Sequence, residues 1–97
     1  MKAIFIAFNQ AYNEEIVDLL QKRGQRGYTK WEDIAGRGTF YGEPHLGNHA
    51  WPTQNHAIFA AVPDEVVPVI MADLRMTDEA HPDLGLRAYV LNIEQSY

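Results

Sequence analysis

Two short segments, Ala3–Phe8 and Ala57–Val62, carry an apolar residue at every position. A strand sends alternate side chains to opposite faces of its sheet. The first segment therefore puts Ile4, Ile6 and Phe8 on one face and Ala3, Phe5 and Ala7 on the other. The second puts Ile58, Ala60 and Val62 opposite Ala57, Phe59 and Ala61. Neither face suits water, so the flanking segments must supply cover. Asn13 followed by Glu14 and Glu15 has the form of a helix cap with an acidic first turn. Ile16, Val17, Leu19 and Leu20 then share one side, and Gly24 closes the helix behind Lys22 and Arg23. Tyr28–Ile34 has the aromatic and β-branched content of a strand. After Val62-Pro63-Asp64-Glu65, with Asp64 as cap, a second helix has the stripe Val66, Val67, Ile70, Met71 and Leu74. Pro68 falls near its start, where proline is tolerated. Thr77–Asp83 reads as a polar loop. Leu84–Glu94 reads as the last strand, with Leu86, Ala88 and Val90 on one face and Tyr89, Leu91 and Ile93 on the other.

The order strand, helix, strand, long loop, strand, helix, strand is that of an α+β ferredoxin-like βαββαβ sandwich. Two helices cover one face of such a sheet. The other face is also apolar, which predicts that it meets another copy of the chain. Ninety-seven residues suit a single domain spanning 1–97. A net charge of −5 argues against a general nucleic-acid or anionic-membrane binder. The longest apolar run is too short to insert across a bilayer, and no secretory leader is visible, so the expected location is cytoplasmic. Without cysteine there is no disulfide, thiolate metal site or catalytic thiol.

Between Gly36 and Asn55 no period survives, yet the stretch holds Phe40, Tyr41, His45, His49 and Trp51. A loop this long is usually functional. Arg37, set between Gly36 and Gly38, can contact an anion beside open glycine amides, or be a solvated turn residue. His45, His49 and His56, with Glu43 nearby, have the chemistry of divalent-metal ligands, but equally that of hydrogen-bonding loop histidines. Asp78, Glu79, His81 and Asp83 can hold a cation or form a solvated turn. Phe40, Tyr41 and Trp51 are candidates for gripping a partner. No nucleophile elbow, Walker loop, metalloprotease helix or dinucleotide fingerprint is present, so the chain is not expected to be an enzyme.

These features resemble the nitrogen-regulatory PII signalling family and its PII-like relatives. The match runs through the opening strand Lys2–Phe8, the acidic-started helix ending in Gly24 and the strand entrance Gly27-Tyr28-Thr29. It continues through Gly36-Arg37-Gly38 and Val62-Pro63-Asp64-Glu65. The resemblance implies a ferredoxin-like homotrimer whose inter-subunit clefts bind a small effector, commonly an adenine nucleotide. It implies that the 39–55 loop reports binding to a partner protein, such as a membrane transporter or an enzyme. Thr29, Gly36, Arg37, Gly38 and Arg87 would lie at the cleft.

The chain departs from that pattern where the family's ATP phosphate loop belongs. Met76–Asp83 holds three carboxylates and no lysine or arginine. Phosphate cradles need glycine amides and a cation, so ATP bound in the usual PII mode is not expected. Two alternatives carry different predictions. A metal-binding protein shaped like the CutA-type ion-tolerance proteins would use the loop histidines, and a small α+β-barrel enzyme would be a dimer.

Overall fold

The computed structural model describes all 97 residues, Met1–Tyr97. Strands β1 (Lys2–Asn9), β2 (Thr29–Ile34), β3 (Asn55–Val62) and β4 (Arg87–Asn92) form one sheet in the order β2-β3-β1-β4. Every pairing is antiparallel. Helices α1 (Asn13–Lys22) and α2 (Val67–Ala80) complete the βαββαβ order. The fold is the expected ferredoxin-like sandwich.

Register explains where the core lies. Ile4 pairs with Ala60 and Ile6 with Ile58, so these residues share a face. With Phe8 and Val62 they pack against Ile16 and Leu20 of α1 and Ile70 and Leu74 of α2, all buried. Replacing Ile6, at the centre of this layer, by alanine is expected to cost ~2–5 kcal/mol through lost transfer energy and a residual cavity. Urea unfolding of the Ile6→Ala variant checks this.

The opposite face has no cover within the chain. Thr29, Phe59, Phe5 and Tyr89 form one cross-strand row, and Trp31, Ala57, Ala7 and Arg87 the next. Phe59, Trp31, Tyr89 and Leu91 stand 38–56% exposed, and the Phe5 and Trp31 rings lie 6.5 Å apart. Arg87 is the only charged side chain in these two rows.

Local chemistry sets the helix ends. Gly24 adopts φ +80°, and the bonds Gly24 N–H to Gln21 O and Gln25 N–H to Leu20 O close α1 in a Schellman turn. The N-termini differ from expectation. Asn9, not Asn13, supplies a capping side chain, accepting from Ala11 N at the short 3₁₀ turn Gln10–Tyr12 that precedes α1. Asp64 begins another 3₁₀ turn, Asp64–Val66, so that Pro68 falls at the very start of α2, where its missing N–H costs nothing. The polar stretch expected to be a loop from Thr77 is helical to Ala80, its hydroxyl bonding back to Asp73 O. The last strand is also shorter than expected, because Leu84 and Leu86 belong to the turn leading into β4.

Arg23, at the end of α1, ties that helix to α2. Its Nε and Nη2 donate to the Asp73 carboxylate at 2.6 and 3.1 Å. That hydrogen bond, with the adjacent positive charge, holds the Asp73 carboxyl below its ordinary range. A carboxyl with a lowered folded-state pKa contributes stability that is complete above its unfolded pKa of about 3.9 and lost as pH falls through the folded value. Urea midpoints should therefore drop below about pH 4. The drop should be smaller in Asp73→Asn, with salt weakening the effect because the pair is surface-exposed.

Candidate functional site

The chain leaving β2 crosses the end of the sheet toward β4. A bulge between Trp31 and Ile34, with Asp33 at φ +56°, starts the crossing. Gly36 then forms an antiparallel bridge to His45, with N–H to O distances of 2.8 and 2.7 Å in the two directions. Gly38 lies so close to the turn leading into β4 that a Cβ there would sit 3.0 Å from Gly85 O. Arg87 Nε donates to Gly38 O at 2.7 Å and fixes this approach. The loop is thus pinned at its root by backbone contacts and one guanidinium.

This crossing creates a groove of about 230 Å³ between the loop root and the open sheet face. Gly36, Arg37, Gly38 and Arg87 line it, with Phe5 and Tyr89 on the sheet side. Four of the five residues expected at a ligand cleft therefore converge. Arg37 makes no ion pair or hydrogen bond within the chain, and the amides of Gly38 and Thr39 are likewise unused. An arginine with free donors beside free amides is suited to an oxyanion. Thr29 stands apart. It lies on edge strand β2, whereas Arg87 lies on the opposite edge strand, β4, three strands away. At the usual strand spacing that separation is about 14 Å.

The rest of the long loop folds back on itself in two small lobes. The first closes at the Gly36–His45 bridge and presents Phe40 and Tyr41, 83% and 95% exposed, with their rings 5.0 Å apart. The second closes by Gly47 N–H to Thr53 O and by paired bonds between Asn48 and Trp51. Trp51 is partly exposed at its tip.

The three histidines are not brought together as one centre. His45 is buried, with Nδ1 2.7 Å from Asn55 Oδ1. His56 is buried beside Phe8, its cross-strand partner, with Nε2 3.7 Å from the Glu32 carboxylate. His49 is exposed on the second lobe. No three histidine, aspartate or glutamate side chains of the chain are placed to hold one metal ion.

The acidic residues at the end of α2 and in the turn before β4 bond within the chain. The Asp78 carboxylate accepts from Leu86 N at 3.1 Å. Asp83 accepts from the Tyr12 hydroxyl, which pushes the phenol pKa up, and its carbonyl accepts from Asn9 Nδ2. Phe5, Tyr89 and Asn55 were not singled out by sequence reasoning. The one usable signal was strand parity, which places Phe5 and Tyr89 on the face that carries Arg87. Nothing local marks Asn55 as the partner of His45.

Comparison with known proteins agrees with this architecture. The family model described as "Nitrogen regulatory protein P-II" matches residues 1–97. CPII, a nitrogen regulatory PII-like protein from Thiomonas intermedia K12, is similar in structure in its form bound to ADP, AMP and bicarbonate. The TM-score is 0.75 at 26% identity, covering 98% of this chain and 93% of that one. The same protein bound to ADP, AMP and acetate gives 0.71 at 26% identity, with 97% and 88% covered. A PII-like signalling protein from Thermus thermophilus gives 0.66 at 25% identity, with 95% and 85% covered. No curated protein matches the sequence. No helix is long and apolar enough to cross a membrane.

Proposed function

The chain belongs to the nitrogen regulatory protein P-II family, and from that membership together with the groove geometry we propose that it is a trimeric sensor of a small anionic effector. Members of this family regulate by binding, not by catalysis. The observation that carries the proposal is the convergence of Gly36, Arg37, Gly38 and Arg87 on one groove that opens onto the uncovered sheet face. When a second copy covers that face, the groove becomes a cleft between subunits. The positions of Thr29 and Arg87 on opposite edge strands fit such a cleft, because the β2 edge of one copy can meet the β4 edge of the next.

The effector class follows from the donors. Arg37 and the unused amides of Gly38 and Thr39 suit a phosphate or a carboxylate-like anion. A nucleoside monophosphate or diphosphate, or bicarbonate, meets this description, and CPII is bound to ADP, AMP and bicarbonate. A triphosphate in the usual family mode is disfavoured, since Asp78 already takes the Leu86 amide and brings negative charge to the turn. The effector regulates a partner protein through the 39–55 loop. Arg87 links the cleft to that loop through Gly38, and Phe40, Tyr41 and Trp51 are the residues the loop offers a partner.

The proposal is tested by thermal shift with AMP, ADP, ATP and bicarbonate. A ligand that binds only the folded state stabilises it by about 2.7 kcal/mol at a hundredfold excess over Kd. A concentration-dependent rise is expected with AMP, ADP or bicarbonate and a smaller one with ATP. No rise with any of them would contradict the proposal.

A further inference from the structure

β2 ends in the bulge between Trp31 and Ile34, and the long loop starts there. Asp33 occupies the bulge at φ +56°, the one positive φ in the chain outside glycine. An L-residue keeps that conformation only where its surroundings enforce it. Two side chains do so. Gln54 Nε2 donates to Asp33 O at 3.4 Å, and Asp33 N–H donates to His56 Nδ1 at 3.3 Å. The bulge takes Asp33 out of the β2–β3 register. Its amide therefore uses the imidazole where an ordinary strand residue would use the ladder.

His56 lies on the helix-covered face, opposite the core residue Phe8, with 10% of its side chain exposed. Its other ring nitrogen, Nε2, stands 3.7 Å from Glu32 Oε2. A carboxylate only accepts, so in the neutral ring it selects the tautomer with the proton on Nε2 and the lone pair on Nδ1. That lone pair takes the Asp33 amide. Nδ1 has a second neighbour of opposite polarity at the same distance, the Asn55 carbonyl oxygen, 3.3 Å away. The protonation state of Nδ1 thus decides which of two backbone groups it bonds. The charged groups around the ring are few. β2 supplies Glu32, and behind it Lys30, whose Nζ is 3.6 Å from the same carboxylate. The Asp33 carboxylate forms no ion pair. β1 supplies the Phe8 ring, and α1 enters the network only through the neutral Asn13 side chain, which accepts from Lys30 at 3.3 Å.

We propose that His56 is a pH-sensitive latch on the root of the long loop. With one ring proton it holds the Asp33 amide and so the bulge. With two, Nδ1 becomes a donor and turns to Asn55 O, while the Glu32 carboxylate stabilises the imidazolium. The Asp33 amide then faces an N–H that it cannot bond. Asp33 keeps only the Gln54 contact, and the chain entering the Gly36–His45 bridge loses one of its two side-chain anchors at the bulge. Histidine is the side chain whose charge ordinarily changes between about pH 5 and 8. The latch sits on the helix side of the sheet and works without a ligand, so it does not rest on the anion reading.

The test is a titration of the ligand-free full chain from about pH 8 to about pH 5, followed by NMR of the His56 ring nitrogens and the backbone amides. His56 is expected to gain its second proton in this window. The Asp33 amide should lose its hydrogen-bonded shift with the same midpoint, and the amides of Ala35, Gly36 and Gly38 should move with it. Glu32→Gln, at a side chain 63% exposed, should leave the chain folded. It should move the coupled transition to lower pH, because it removes the anion that favours the charged ring. His56→Asn keeps an acceptor near the Nδ1 position and does not titrate, so there the Asp33 transition should disappear. A His56 that stays singly protonated throughout the window, an Asp33 amide indifferent to its charging, or an Asp33 transition that survives in folded His56→Asn would overturn the proposal.

Discussion

Phe59→Asp is expected to sediment as a monomer at concentrations where the parent protein forms the proposed trimer. Phe59 sits in the central cross-strand row with Phe5 and Tyr89, on the face that no helix covers. In an isolated chain the substitution should be tolerated, because a 38% exposed side chain leaves room for a carboxylate to reach water. In an assembly the same carboxylate would be buried against aromatic rings without a partner, at a penalty of several kcal/mol per interface. Sedimentation velocity separates the cases. Retention of a trimer by a folded Phe59→Asp protein would show that the sheet face is not the interface.

Arg37→Ala is expected to weaken effector binding by about 10- to 150-fold, from the ~1.5–3 kcal/mol of a hydrogen bond to a charged group. It should leave stability nearly unchanged, since Arg37 makes no ion pair or hydrogen bond within the chain. Arg87→Ala should lose binding and also stability, because Arg87 Nε holds Gly38 against β4. The contrast between the two arginines separates charge from positioning, and calorimetry paired with urea melts measures both.

The sheet was legible because strand parity needs no tertiary information. Ile4, Ile6 and Phe5 alternate as their position in the chain dictates, and the double apolar face followed directly. The end of α1 was legible for a similar reason, as Gly24 meets a purely local demand for positive φ. The extent of α2 was not, because its apolar stripe ends at Leu74 and the last turn is held by the backbone ladder and by Thr77 and His81 bonding back along the helix. Periodicity cannot report a turn with no buried face. The long loop hid its order in the same way. It is built from isolated contacts such as the Gly36–His45 bridge and the hydrogen bond from Gly47 N–H to Thr53 O, which impose no repeat on the residues between. The glycine-flanked Arg37 was visible as a feature, but the contact that makes its surroundings a groove joins Gly38 to Arg87, forty-nine positions away. The burial of His45 likewise depends on Asn55 and Gly85, which no spacing rule connects to it.

The measurement that bears most directly on the sensor account is isothermal titration of AMP, ADP and bicarbonate into the parent protein and into Arg37→Ala, with the oligomeric state fixed in parallel by sedimentation. The account predicts saturable binding of at least one of these anions to a trimer, one site per chain, lost or strongly weakened in Arg37→Ala. Absence of saturable binding by all three, or binding to a monomer that is indifferent to Arg37, would contradict it.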